Sequence, residues 1–339
     1  MKNVLLLLLC SSTVFAQQLH LKIIETKVNA SFRGLSVVND SVAWVSGSNG
    51  YVGISLNGGI SWEFKQVKGF EGSDFRSLYT FNATTAVIAN AGSPAYILFT
   101  KDAGLTWNEV YKNDDSAAFF DGVDFWNKKD GIIYGDPIKG KMLLLYTVDG
   151  GNSWEMLPDA SRPALEKDEA SFAASGTNIK CLDKTKLVIA TGGKISRLWV
   201  SVNKGKNWHV ITTPIIQGQN STGIFSFTYH NAKQAIIVGG DYKKDTVSTA
   251  NAFYTNDEGK TWSAPVTSPR GYRECVTWID KNNLIVTGPG GTDISKDGGI
   301  NWIPFSDEKL FHVVKKSRMG NCIILAGGKG KIGVLVQKD

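Results

Sequence analysis

The chain has 339 residues, 42% of them hydrophobic and 20% charged, with a formal net charge of +6. This content can bury a large core, and all-β folds often reach this length as one unit although two or three domains would fit. Lysines and arginines are scattered rather than clustered, which excludes a nucleic-acid groove and leaves a solvated basic surface.

At the N-terminus, Lys2, the apolar run from Val4 to Leu9 and the small-residue end at Val14-Phe15-Ala16 read as a secretory signal over residues 1–16. Cleavage is expected before Gln17, leaving a net charge of +5 and a single domain over residues 17–339. The apolar run is too short to span a bilayer, and no other transmembrane segment is expected. Cys10 follows Leu9, a poor fit to the small residue of a lipoprotein signal. A secreted or periplasmic protein without a lipid anchor is the expectation.

Leu19-His20-Leu21-Lys22-Ile23-Ile24 then reads as an isolated strand. After it, one octapeptide pattern recurs six times, at Ser55–Trp62, Thr100–Trp107, Thr147–Trp154, Ser201–Trp208, Thr255–Trp262 and Ser295–Trp302. Each copy reads Ser/Thr, any, Asp/Asn, any, Gly, any, Ser/Thr/Asn, Trp, and successive copies start 45, 47, 54, 54 and 40 residues apart. Asp or Asn two residues before Gly is turn chemistry, because the short side chain bonds the local backbone and Gly accepts positive φ. Flanking alternation, as in Tyr96-Ile97-Leu98-Phe99, makes each copy a hairpin, and the closing Trp buries a large ring. Self-similarity at this period predicts a radial or stacked repeat, most often a β-propeller.

A second segment precedes each hairpin: Phe32-Arg33-Gly34-Leu35, Phe75-Arg76-Ser77-Leu78, Phe120-Asp121-Gly122-Val123, Ala170-Ser171-Phe172-Ala173, Ile224-Phe225-Ser226-Phe227, Tyr272-Arg273-Glu274-Cys275 and Phe311-His312-Val313-Val314. Seven such segments predict seven blades. The last unit ends at Gly333–Gln337 without an octapeptide, so the strand from Leu19 to Ile24 is expected to complete it and close the ring. The predicted fold is therefore all-β, a seven-bladed propeller closed by its N-terminal strand. Beyond the signal, Cys181, Cys275 and Cys322 are too few for a disulfide framework and read as buried apolar residues. A Cys275–Cys322 bridge between neighbouring blades stays open.

If each blade runs from an inner to an outer strand, the octapeptides occupy one end of the ring as scaffold. The connections between blades emerge at the other end. Aligning the inner segments places Arg33, Arg76, Asp121, Ser171, Phe225, Arg273 and His312 around the channel mouth there. Turns on the same face add Asp136, Arg197, Asp241 and Tyr242, with long connections from Pro158 to Ser171 and from Gly239 to Ala252. Three of the seven arginines share the aligned position, and converging guanidinium groups suit a carboxylate or phosphate. Equally, the arginines could pair with Asp121, Asp136, Glu169 and Asp241 in a network that seals the channel. Both readings stand at this stage.

The octapeptide is similar to the Asp-box, or BNR repeat, of sialidases and many unrelated propellers. Asp124-Phe125-Trp126, Tyr134-Gly135-Asp136-Pro137, Ser171–Thr177, Gly223-Ile224-Phe225-Ser226, Val238–Tyr242 and Gly271-Tyr272-Arg273 extend the likeness. Together they resemble secreted bacterial BNR-repeat proteins related to the photosystem II stability/assembly factor family. That resemblance covers nearly the whole mature chain and implies the seven-bladed fold with an assembly or binding role. The expected partner is a protein, or an anionic or glycan ligand, held by a monomer.

Enzyme classes fare less well. No Gly-x-Gly-x-x-Gly word opens a helix after a strand, no Cys-x-x-Cys word occurs, and the four histidines are isolated. Neither cofactor nor metal is expected. The alternative is a sialidase-like glycoside hydrolase, which needs a three-arginine clamp, a Tyr–Glu nucleophile pair and an acid. Arg33, Arg76 and Arg273 with Tyr272, Glu274 and Asp121 supply the residue types. However, Phe32-Arg33-Gly34-Leu35 departs from the Phe-Arg-Ile-Pro word of sialidases, and strand alternation turns Tyr272 and Glu274 away from Arg273.

Overall fold

A computed structural model describes residues 19–337; the expected signal lies outside the described residues. Seven antiparallel sheets follow one another along the chain and form the blades of a propeller. Blade 1 shows the plan, with strands Phe32–Val37, Ala43–Gly47, Tyr51–Ser55 and Glu63–Gln66 hydrogen-bonded in that order. Blades 2, 3 and 6 repeat it over residues 77–113, 120–156 and 275–306. In blade 5, Thr222–Tyr229, Ala235–Asp241 and Ala252–Thr255 are completed by a single bridge from Tyr254 to Ser263. Blade 7 joins Phe311–Lys316, Ile323–Gly327 and Ile332–Gln337 to Leu19–Ile24. The last two strands pair antiparallel from Leu19 opposite Gln337 to Ile24 opposite Ile332, so the N-terminal strand closes the ring as expected.

The apolar positions of the strands meet between blades. Phe32, Leu35 and Val45 of blade 1 pack with Val313, Ile324 and Leu325 of blade 7, and Val87 and Ile97 of blade 2 pack with Phe120 and Ile133 of blade 3. Each full burial of such a side chain contributes about 1.5–3 kcal/mol, far more than an exposed ion pair. The ring is thus held by blade-to-blade cores. Cys181, Cys275 and Cys322 are all unpaired, so the possible Cys275–Cys322 bridge is not formed. Cys275 Sγ instead lies 3.1 Å from the Val314 carbonyl, and Cys322 Sγ lies 3.6 Å from that of Gly58.

The octapeptides join third to fourth strands and share one hydrogen-bond plan. In the second copy, the Gly104 N–H donates to Thr100 Oγ1 at 3.1 Å, the Thr106 N–H donates to Asp102 Oδ1 at 2.9 Å, and Thr106 Oγ1 donates to Asp102 Oδ2 at 2.6 Å. Bonds from Thr106 and Thr100 hold the Asp102 carboxyl at about 2, and Thr261 and Thr255 do the same for Asp257. A carboxyl lowered by folding stabilises above its unfolded value near 3.8, and that contribution disappears as pH falls toward 2. Melting temperature should therefore decline between about pH 4 and pH 2. Asn57 and Asn203 already make the same turn, each accepting from a backbone N–H at 2.9 Å. The Asp102→Asn/Asp257→Asn variant should accordingly fold and show a shallower acid decline by calorimetry. Parallel curves for variant and parent would assign the decline to other groups.

Two inner segments differ from expectation. Ala170-Ser171-Phe172-Ala173 is not the inner strand of blade 4. Only Glu169–Ala170 is a strand there, paired with Gly192–Gly193 at the inner edge of the blade 5 sheet. The inner strand of blade 4 is Ile179–Leu182, paired with Lys186–Ala190 and followed by Arg197–Ser201 and His209–Thr212. Residues 171–178 instead run across the channel.

In blade 6 the register shifts by one. Glycines at or near the end of the second strand pack against the backbone that enters the first: Gly47 on Phe32, Gly135 on Phe120, Gly327 on Phe311 and Gly288 on Arg273. Arg273 therefore occupies the buried aromatic position. Glu274 takes the place beside Arg33, Asp121 and His312.

Candidate functional site

Glu274 is the centre of the mouth. Its Oε1 accepts from the Tyr272 hydroxyl at 3.1 Å and from Arg33 Nη1 at 3.4 Å, and His312 Nδ1 lies 2.6 Å from its Oε2. Burial opposes the charge, but Arg33, the His312 bond and the Tyr272 bond together hold the carboxyl below its ordinary value. Elements from blades 6, 1 and 7 are thereby tied at one point.

The crossing segment sits on this cluster. Arg33 Nη1 donates to the Ala174 carbonyl at 2.8 Å, Ser175 Oγ donates to the Glu274 carbonyl at 2.8 Å, and Thr177 Oγ1 bonds Ser226 Oγ at 2.7 Å. Phe172 stacks on Phe225 with ring centroids 3.9 Å apart, and Phe225 meets Tyr272 edge-on at 4.6 Å. Gly176 stands at φ 60°, the left-handed turn that aims the segment into blade 4. The mouth is plugged, not open.

The remaining expected residues distribute around this plug. Asp121 is fully buried; burial first, then the charge of Asp136, pushes its carboxyl well above the ordinary range, which Arg76 and the Ala173 N–H offset only in part. Asp136 is raised by burial too and accepts the Ser171 N–H at 3.2 Å. Arg76 is half-exposed, with Nε bonded to Asp74 at 2.7 Å. Asp241 is buried and accepts the Lys243 N–H at 3.0 Å, whereas Tyr242 is 47% exposed and packs edge-on against Phe172 and Phe225.

Arg197 and Arg273 are both engaged elsewhere. Arg197 pairs with Glu169, which also accepts from Thr191 and Trp199, and its guanidinium lies over the Trp199 ring. Arg273 is buried inside blade 6 on Asp293, with Nε and Nη2 at 3.0 and 2.5 Å from Oδ2. Arg270 Nε holds the second oxygen of Asp293 at 2.7 Å. Of the carboxylates expected to seal the channel, Glu169 alone pairs directly with an arginine among the described residues.

The hydrolase constellation does not assemble. Arg33 contacts Glu274, Arg76 turns to Asp74 and Arg273 to Asp293, so the three arginines do not converge. Tyr272 and Glu274 do pair, but both are buried under the plug.

Sequence reasoning placed Arg33, Arg76, Asp121 and His312 at the mouth and named Tyr272 and Glu274 only as a hydrolase pair, missing Glu274 as the centre of the cluster and the crossing segment that covers it. A signal for Glu274 existed. The residue after the channel position is small in most blades, as Gly34, Ser77, Gly122 and Ser226, and Cys275 continues that series.

A family profile described as BNR/Asp-box repeat matches residues 253–264, the fifth octapeptide and its flanks. The photosystem II stability/assembly factor HCF136 of Arabidopsis thaliana is 27% identical over 221 residues, which are 62% of this chain and 51% of that protein. The match thus spans about half the length of that relative. A solved structure of YCF48 bound to D1 peptide superposes with a TM-score of 0.69 at 15% identity, covering 94% of this chain and 97% of that one. YCF48 from Cyanidioschyzon merolae gives 0.66 at 14% identity, covering 93% and 98%. The chain is a seven-bladed Asp-box propeller that resembles the photosystem II stability/assembly factors.

Proposed function

We propose that the protein is a non-catalytic, secreted or periplasmic propeller, acting as a monomer, that binds a segment of a protein partner on the plugged mouth face. The observation that carries this reading is the division of labour at the mouth. Arg33, Glu274, His312 and the crossing segment are locked into one another, while Arg76 and Tyr242 stand partly free on that rigid base. Aromatic and guanidinium side chains are the residue types enriched in interface hot spots, and preorganisation lowers the cost of binding. Resemblance to assembly factors, and a similar fold solved with a bound peptide, support a protein segment over a glycan. An acidic or carboxylate-bearing segment would suit Arg76.

The Arg76→Ala variant tests this. Its pair with Asp74 is partly solvated, so stability should change by no more than about 1 kcal/mol. Partner affinity, measured with material captured from the native envelope fraction, should fall about tenfold, equivalent to about 1.4 kcal/mol. A large stability loss with intact capture would make Arg76 part of the structural network. The location is tested separately by mass spectrometry of the mature N-terminus, expected at Gln17.

A further inference from the structure

Behind the plug, the channel continues toward the Asp-box end as a cavity of about 270 Å³. Gly176 and Thr177 form its floor, and its wall follows the inner strands from Leu78 and Ile179 to Cys181 and Lys316. Four basic side chains line it, Lys180, Lys315, Lys316 and Arg318, against one acidic residue, Asp124.

Their partners are unevenly distributed. Lys316 Nζ donates to the Ile279 carbonyl at 2.8 Å. Arg318 is fixed over the Tyr79 ring, with Nη1 on Ser36 Oγ at 2.9 Å and Nη2 on the Thr80 carbonyl. The Asp124 oxygens accept the N–H groups of Phe125 and Cys181 at 2.9 and 2.7 Å. Among the described residues, Lys180 and Lys315 form neither an ion pair nor a side-chain hydrogen bond, although they share the cavity with Arg318. Burial pushes the Lys315 ammonium down to about 8; Lys180 and Arg318 add to that effect, while Cys275 and the Asp124 carboxylate oppose it. Unpaired cations held together in a partly open cavity repel one another and lose hydration, and a bound anion relieves both costs.

We propose that this cavity binds a small tetrahedral oxyanion, of the phosphate or sulfate class, between Lys180 and Lys315 and beneath Arg318. Two blades supply the donors: blade 4 gives Lys180, and the inner strand of blade 7 with its following turn gives Lys315 and Arg318, which lies over Tyr79 of blade 2. The volume lies below the roughly 300–1,000 Å³ of pockets for drug-sized ligands, so an inorganic anion fits and a nucleotide does not. The site is separated from the mouth by the plug and stands independently of the partner-binding reading.

The test is calorimetric titration of the full chain with inorganic phosphate and, separately, sulfate at constant ionic strength, with melting curves alongside. At phosphate about 100-fold above its Kd, the parent should melt about 4 °C higher than in chloride. Lys315→Met should abolish the titration heat and the shift, and in chloride should melt no lower than the parent because a repelling cation is gone. Lys180→Gln, which keeps a polar side chain, should weaken phosphate binding at least tenfold. Phosphate binding without sulfate binding would support the proposal and narrow it to phosphate. No titration heat in the parent, or equal heats and shifts in the parent and both variants, would overturn it.

Discussion

Replacing Asp293 with alanine is expected to destabilise the protein by about 3–5 kcal/mol, the cost of leaving a buried charge without its partner. Arg273 and Asp293 are each only 1% exposed, and among the described residues Asp293 alone neutralises the Arg273 guanidinium while also holding Arg270. Removing the carboxylate strands Arg273 among blade 6 residues, where its Nη1 retains only the Tyr272 carbonyl at 3.0 Å. Arg270 would lose less, because it is partly exposed and keeps Asp307 at 2.6 Å. The Arg273→Met/Asp293→Leu double variant should recover most of the loss, since packed apolar residues often replace a buried pair without penalty. Urea unfolding measures both. A single-variant loss below about 1 kcal/mol would show that solvent reaches Arg273.

Glu274→Ala should cost a similar amount, about 3 kcal/mol or more, and should loosen the mouth in particular. Arg33, Tyr272 and His312 all lose a partner, and the Arg33 side chain that fastens the crossing segment at Ala174 is freed. Hydrogen exchange should accelerate at the amides of residues 172–177 more than in the blade cores. Glu274→Gln keeps the shape and some hydrogen bonds but removes the charge facing Arg33, so it should fall between parent and alanine variant. Uniform acceleration across all blades would mean that Glu274 stabilises the ring rather than the plug.

The repeat architecture was legible because each octapeptide carries its own structural cause. Ser/Thr, Asp/Asn, Gly and Trp form a turn whose bonds are local, as Ser55, Asn57, Gly59 and Trp62 show. Ring closure was legible because the spare strand at Leu19–Ile24 and the incomplete last unit lacked partners at opposite ends of the sequence. The mouth was harder. Tyr272 looked like the aromatic that opens each inner segment, yet a bulge-like entry and the small Cys275 fix the register so that Arg273 goes inward and Glu274 faces Arg33. The crossing segment was misread because Phe172 alternates as a strand residue would. Its stack on Phe225 is a contact between distant parts of the chain, which periodicity cannot register.

The central claim is that the plugged mouth face, not the Asp-box face, meets a protein partner. A photo-crosslinking amino acid placed at position 242, beside Phe172, tests it in the native envelope, with position 56 as the control, since Leu56 on the octapeptide hairpin is more exposed than Tyr242. The account predicts a discrete cross-linked protein from position 242, lost when Arg76→Ala is added, and none from position 56. Cross-linking from position 56 with none from position 242 would contradict it and move the interface to the opposite end of the propeller.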